Sequence, residues 1–129
     1  MEKIKQLLTN PLVGMDAWYD SYLDDAVKLF EIEIEKGKIK ECFLVLDELE
    51  TSEKIRFFEA ITEVQNVSLI PFLFKELEDA NIELAEPIID GLRCWDLDHD
   101  DLDRLKCYAH KFLGKSPLLD TIIHHMIDR

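Results

Sequence analysis

Apolar residues recur along this chain at intervals of three and four, the spacing that returns an α-helix to the same face. No stretch alternates apolar with polar residues as a half-buried strand does, although Cys42–Leu46 is apolar enough to imitate one. After a short segment over Met1–Leu8, Asn10-Pro11 and Gly14 mark a break. The pattern then predicts one long helix over Met15–Glu35, with Trp18, Tyr22, Leu23, Ala26, Leu29 and Phe30 on one side. Lys36-Gly37 ends it, because glycine supplies the left-handed residue that a helix C-terminus favours.

Shorter, paired helices follow. Lys38–Glu50 carries Ile39, Phe43, Leu46 and Leu49, and Glu53–Gln65 carries Ile55, Phe58 and Ile61 behind the potential N-caps Thr51 and Ser52. Ser68 is placed to cap Leu69–Ala80, with Pro71 tolerated in the first turn, and Asn81 opens a return helix to about Cys94. Pro87 lies inside that return helix and is expected to kink it or delay its start. Asp98 caps His99–Leu113, Gly114 stops it, and Ser116-Pro117 begins a last helix through Asp128 with Leu119, Ile122, Ile123 and Met126 inward.

The helix starts at Lys38, Ser68 and Asp98 stand 30 residues apart, and the return helices open near Thr51, Asn81 and Ser116 at intervals of 30 and 35. Such spacing is that of a helical repeat, whose stacked units offer an extended surface for partners more often than a closed catalytic pocket. The expected fold is therefore all-α. Antiparallel helical hairpins stack as a short α-solenoid or helical bundle, in a single domain over residues 1–129.

The middle hairpin, Ile70-Pro71-Phe72-Leu73-Phe74-Lys75-Glu76-Leu77-Glu78-Asp79 followed by Leu84 and Gly91-Leu92, resembles a HEAT-type repeat. In that family an apolar-Pro pair opens the first helix, Leu recurs at four, and Asp marks the turn. The chain departs from it at Ala85, where Arg is usual, and at Pro87, where a small residue is usual. The resemblance covers about 25 residues, whereas HEAT units run to about 40 or more. It implies architecture rather than activity.

Charge narrows the range of partners. The chain has 28 acidic against 15 basic side chains, a net of −13, which repels nucleic acid and anionic membrane and favours a basic partner. No segment approaches the roughly 20 apolar residues of a membrane span, and no apolar signal core follows Met1-Glu2-Lys3-Ile4-Lys5, so a cytoplasmic location is expected. Cys42, Cys94 and Cys107 are odd in number and unpaired in spacing, which points to reduced thiols. Nucleophile elbow, Walker loop, HExxH and glycine-rich nucleotide turn are all missing from the sequence, so no enzyme, no cofactor and no catalytic residue is expected.

Two acidic groups stand out as partner-binding candidates. Asp16, Asp20 and Asp24, continued by Glu31 and Glu35, fall on one stripe of the long helix, relieved only by Lys28. Like charges at i, i+4 cost an isolated helix a few tenths of a kcal/mol each. The second group is Asp96, Asp100, Asp101 and Asp103. It imitates a calcium loop, but Asp101 stands where the turn needs Gly and Cys107 where a bidentate Glu closes the site. Asp98 is set apart as a helix cap. Of Trp18, Tyr19 and Tyr22, beside the first stripe, core positions are expected, with one of them available as an exposed anchor.

Cys94, His99, Cys107 and His110 have the donor chemistry for zinc, but their spacing matches no standard zinc motif and Cys94 suits a small buried position, so no metal is expected. His124 and His125 are adjacent, about 100° apart on a helix, and read as surface residues. The expected function is an acidic protein-binding module, most concretely an immunity-type inhibitor that neutralises a basic toxin domain such as a nuclease. The alternative is a HEAT-like adaptor for another protein.

Overall fold

The computed structural model describes residues 1–10 and 15–127. It is all-α, and no strand occurs among the described residues. The expected break at Pro11 and Gly14, and the last residue of the final helix at Asp128, lie outside them. Contacts gather the chain into two compact units, Met1–Asn66 and Val67–Arg129.

In the N-terminal unit, α1 (Glu2–Thr9) buries Ile4 and Leu8. The long helix predicted over Met15–Glu35 is a continuous helical path in three parts. A single turn α2 (Met15–Ala17) leads into a π-helical stretch over Trp18–Tyr22, and α3 (Leu23–Glu35) completes it. The Leu23 N–H donates to the carbonyl of Trp18, the i→i−5 bond that defines the wider turn. α3 buries Ala26, Phe30 and Ile34 one turn apart. It ends as its glycine predicts: Gly37 adopts φ 77°, Lys38 N–H reaches Glu33 O at 3.0 Å and Gly37 N–H reaches Ile34 O at 3.0 Å. This pair of bonds satisfies carbonyls that the helix end otherwise leaves open.

The helix expected over Lys38–Glu50 is shorter. α4 (Ile39–Leu44) tightens into a 3-10 turn over Val45–Glu48, which swings Cys42, Val45, Leu46 and Leu49 into the core and leaves Phe43 half-buried. α5 (Thr51–Glu63) is capped by Glu50 rather than by Thr51 or Ser52. Glu50 takes the extended cap conformation, and its N–H donates to Glu53 Oε1 at 2.8 Å. Glutamate at the third helical position reaching back to the cap is the capping-box arrangement, so the acid selected the start over the hydroxyls. α5 packs chiefly on α3 and α1. α4 is too short to cover its apolar face and meets it through Phe43. Phe57 is the hub of this core. It stands edge-to-face against Phe30 at 5.2 Å, Phe43 at 5.4 Å and Phe58 at 5.3 Å between ring centroids.

In the C-terminal unit a 3-10 turn over Val67–Leu69 precedes α6 (Ile70–Asp79), which therefore begins one residue later than expected. Pro71 sits in the first turn of α6, where its missing N–H costs nothing. Asn81 caps α7 (Ile82–Leu92), its Oδ1 accepting from the Leu84 N–H at 3.1 Å. Pro87 does not delay the helix, which runs through it from Ile82. The loss there is one backbone bond, set against the burial of Ala85, Ile88, Ile89 and Leu92. Asp98 caps α8 (His99–His110) with Oδ1 accepting from Asp101 N–H at 2.8 Å. α8 stops at His110 instead of Leu113, and the chain turns through to Gly114 at φ 80°. α9 (Pro117–Ile127) follows, with Leu119, Ile122, Ile123 and Met126 buried as the periodicity predicts. Ser116 accepts from Leu119 N–H at 3.2 Å and donates to the carboxylate of Glu86 on α7. Within this unit α6 packs on α7 and α8, and α9 on α7 and α8.

The cap at Asp98 gives a first expected result. Asp98→Ala removes the acceptor for one of the four orphan N–H groups of α8 and costs about 1 kcal/mol of stability, read from urea unfolding, while Asp98→Asn restores most of it.

Candidate functional site

The acidic stripe of the N-terminal unit is exposed throughout: Asp16, Asp20, Asp24, Glu31 and Glu35 all face solvent. The π turn inserts itself between Asp16 and Asp24, so these positions do not follow the even 100° per residue of an ideal helix. The three aromatics of this stretch differ in exposure. Trp18 is buried at 2% exposure and Tyr22 is half-buried, whereas Tyr19 remains 50% exposed between Asp16 and Asp20. π turns inside α-helices concentrate at functional positions. A second irregularity sits at the same turn. The indole Nε1 of Trp18 is buried without a hydrogen-bond partner, although the Arg56 guanidinium lies 5.6 Å from its ring centre.

Tyr19 is held from below by α5, its hydroxyl donating to the Glu59 carboxylate. That hydrogen bond, with partial burial and the negative charge of Glu59, pushes the Tyr19 phenol up from 10.0 to about 12. Because the folded value lies above the unfolded one, the stabilisation is complete below 10.0 and is lost as pH rises through about 12. Glu59→Gln is expected to bring the phenolate absorbance transition of Tyr19 back toward 10.0 in a spectrophotometric titration, since it removes both the acceptor charge and its field.

In the C-terminal unit Asp96, Asp100 and Asp103 are exposed and Asp101 is half-buried. Burial, first, and then the neighbouring charges of Asp98 and Asp100 raise the Asp101 pKa, with Arg104 acting against them. Asp96, Asp98 and Asp101 line one groove of about 440 Å³ together with the apolar side chains of Val67, Ile70, Pro71, Phe74 and Leu97. Val67 is 69% exposed, a large apolar side chain left open to water on its 3-10 turn. Asp100 and Asp103 are not part of this lining. Arg104, also of this lining, lies over the Phe74 ring at 4.8 Å. Its Nη2 stands 3.6 Å from Glu78 Oε1 and 3.4 Å from the Tyr108 hydroxyl, which itself donates to Glu78 at 3.2 Å.

These acids share the general state of an acidic surface, in which the ion pairs of the described residues reach few of the 28 carboxylates. Among the described residues, Asp16, Asp20, Asp24, Asp96, Asp100 and Asp101 form no ion pair, and Asp103 is paired only with His99 Nε2 at 3.3 Å. The lysines and arginines that do pair engage Glu48, Glu33, Asp90 and Glu78 instead.

The Cys/His group has a different outcome from the one expected for Cys94. α7 ends at Leu92, so Cys94 falls in the following turn and is exposed rather than buried; the buried thiol is Cys42, which burial raises to about 11. Cys107 and His110 are exposed on α8, as are His124 and His125 on α9. Among the described residues no three His, Cys, Asp or Glu side chains come together in a group able to hold a metal ion. No helix among them is long and apolar enough to cross a membrane.

Sequence reasoning placed the acids but missed what lies between them. Neither Val67 nor Leu97 was singled out by periodicity, and nothing local says that Val67, on a 3-10 turn, shares a groove with three carboxylates near the start of α8. Arg104 was equally silent, because its partners Phe74, Glu78 and Tyr108 come from elsewhere on α6 and α8. Comparison with known proteins returns no match among family models, curated proteins or solved structures.

Proposed function

We propose that this chain is an acidic protein-binding module that captures a basic protein partner, most concretely an immunity-type inhibitor that neutralises a basic toxin domain such as a nuclease in the cytoplasm. The observation that carries the reading is the unneutralised state of six of the seven acids named above. Fixed like charges on a helix destabilise it by a few tenths of a kcal/mol per pair, and nearby lysines would cancel that cost. With only Lys28 within the first stripe and Arg104 beside Asp101, a net negative field remains that accelerates encounter with a cationic surface. Apolar anchors supply the affinity that charge alone does not, and Tyr19 among Asp16 and Asp20, and Val67 beside Asp96, have that character. In this reading the chain has no catalytic residue, metal or cofactor of its own, and it rejects nucleic acid and anionic membrane by charge.

A HEAT-like adaptor is the second reading. It is favoured by the 30-residue recurrence of helix starts and by the successive packing of α6, α7, α8 and α9. Affinity capture with the full chain as bait at low ionic strength distinguishes the two. The inhibitor reading expects a partner of high pI that is released by salt and not retained by the Asp16→Asn, Asp20→Asn, Asp24→Asn variant. Capture of neutral or acidic partners only, indifferent to salt and to the variant, contradicts it.

A further inference from the structure

We infer that the groove between the start of α6 and the start of α8 is a receptor for a lysine side chain of the basic partner, its aliphatic stem lying on Val67, Pro71 and Leu97 and its ammonium among Asp96, Asp98 and Asp101. The inference rests on the acidic-module reading and assigns a specific contact within it. The groove's lining combines exposed apolar side chains with three carboxylates, and lysine is the side chain with an apolar stem and a compact cation at its tip.

Charge arithmetic supports a cation in spite of the helix end. The N-terminus of α8 contributes about +0.5 of a unit charge and Arg104 one full positive charge, against three carboxylates, so the lining keeps a net of about −1.5. Two of the three carboxylates already oppose each other: after burial, the charge of Asp98 pushes the Asp101 proton affinity up, as does Asp100 just outside the lining, with Arg104 acting against them. An arriving ammonium relieves that repulsion, whereas an anion or a neutral group does not.

Arg104 explains why lysine fits better than arginine. Guanidinium groups gain much of their advantage by stacking on aromatic rings. Phe74 is the aromatic residue of this lining, and Arg104 lies over its ring at 4.8 Å, fixed there by Glu78 and the Tyr108 hydroxyl. An incoming arginine would find its stacking surface taken and a like charge beside it. A lysine stem uses the aliphatic lining and keeps its charge toward Asp96 and Asp98, the latter six residues ahead of Arg104 at the cap of α8.

The test uses the full chain, isotopically labelled, titrated with short capped peptides that carry several lysines, the same peptides with norleucine for lysine, and the same with arginine. Norleucine keeps the stem and removes the charge. The lysine peptide is expected to shift the amide signals of Val67, Leu97 and Asp101, to bind about tenfold more tightly than the norleucine peptide, and to bind at least as tightly as the arginine peptide. Asp96→Asn with Asp101→Asn is expected to lose the same factor, with Asp98 retained because it caps α8. Val67→Ser, at an exposed position, weakens lysine and norleucine peptides alike. Equal binding of the lysine and norleucine peptides, or a clear preference for arginine, overturns the assignment. Lysine-dependent shifts confined to the Asp16, Asp20 and Asp24 face also overturn it while leaving the acidic-module reading standing. Failure of every cationic peptide to bind at low salt removes both.

Discussion

Replacing Phe57 with alanine is expected to lower the unfolding free energy of the unit Met1–Asn66 by about 3–5 kcal/mol, a large part of what a domain of this size possesses. Phe57 is fully buried, and three other phenylalanine rings meet it edge-to-face within 5.4 Å. The truncation therefore removes its own transfer free energy and three aromatic pairs at once. It also leaves a void bounded by α3, α4 and α5, elements that cannot collapse together without breaking their remaining contacts. Phe57→Leu keeps most of the volume and is expected to cost less than half as much. Urea unfolding followed by circular dichroism checks both values. A loss near 1 kcal/mol for the alanine variant would mean that Phe57 is not the hub of this core.

The parts of this fold that depend on neighbours within four residues were legible in the sequence. Asn81, Asp98 and Ser116 each act as helix caps because the acceptor side chain and the N–H it satisfies lie three residues apart. Gly37 ends α3 because glycine takes left-handed backbone at little cost, whereas Gly114, also left-handed, lies in the turns beyond the end of α8 at His110. Where competing local signals coexist, the reading slipped: Thr51 and Ser52 are good caps, but Glu50 and Glu53 form the reciprocal arrangement one residue earlier. Features fixed by tertiary packing were not legible at all. The π turn at Trp18–Tyr22 and the shortening of α4 into a 3-10 turn answer to what the helices pack against, not to their own periodicity. The exposure of Cys94 follows from α7 ending two residues earlier. For the candidate site the charges were visible and the surfaces were not. Counting put Asp16, Asp20 and Asp24 at even helical spacing, which the π turn between them alters, and the exposed Tyr19 and the groove beside Val67 required the fold.

The second large effect concerns association. Changing Asp16, Asp20 and Asp24 together to lysine alters the formal charge of one exposed face by six units, from a net of −13 for the whole chain to −7. With a cationic partner this is expected to slow association by about ten- to a hundredfold at low ionic strength, because electrostatic steering acts mainly on the encounter rate. Helical content should be unchanged, since none of the three side chains is buried or ion-paired among the described residues. The thermal midpoint should rise slightly, by the relief of like-charge pairs worth a few tenths of a kcal/mol each. Slower binding together with equal or greater stability is the combination that marks a face retained for a partner. A solvated face of no consequence would show the gain in stability alone.

The most direct measurement of the central claim is the association rate of a captured basic partner with the wild-type chain and with this triple variant, followed by stopped flow over a series of salt concentrations. The account predicts a wild-type rate that falls steeply as salt rises from roughly 0.01 to 1 M, where the screening length shrinks from about 30 to 3 Å. The variant should begin lower and change less, with the two curves converging at high salt. Two curves that coincide at every salt concentration would contradict it, and the acidic face of α2 and α3 would then have no part in recognition.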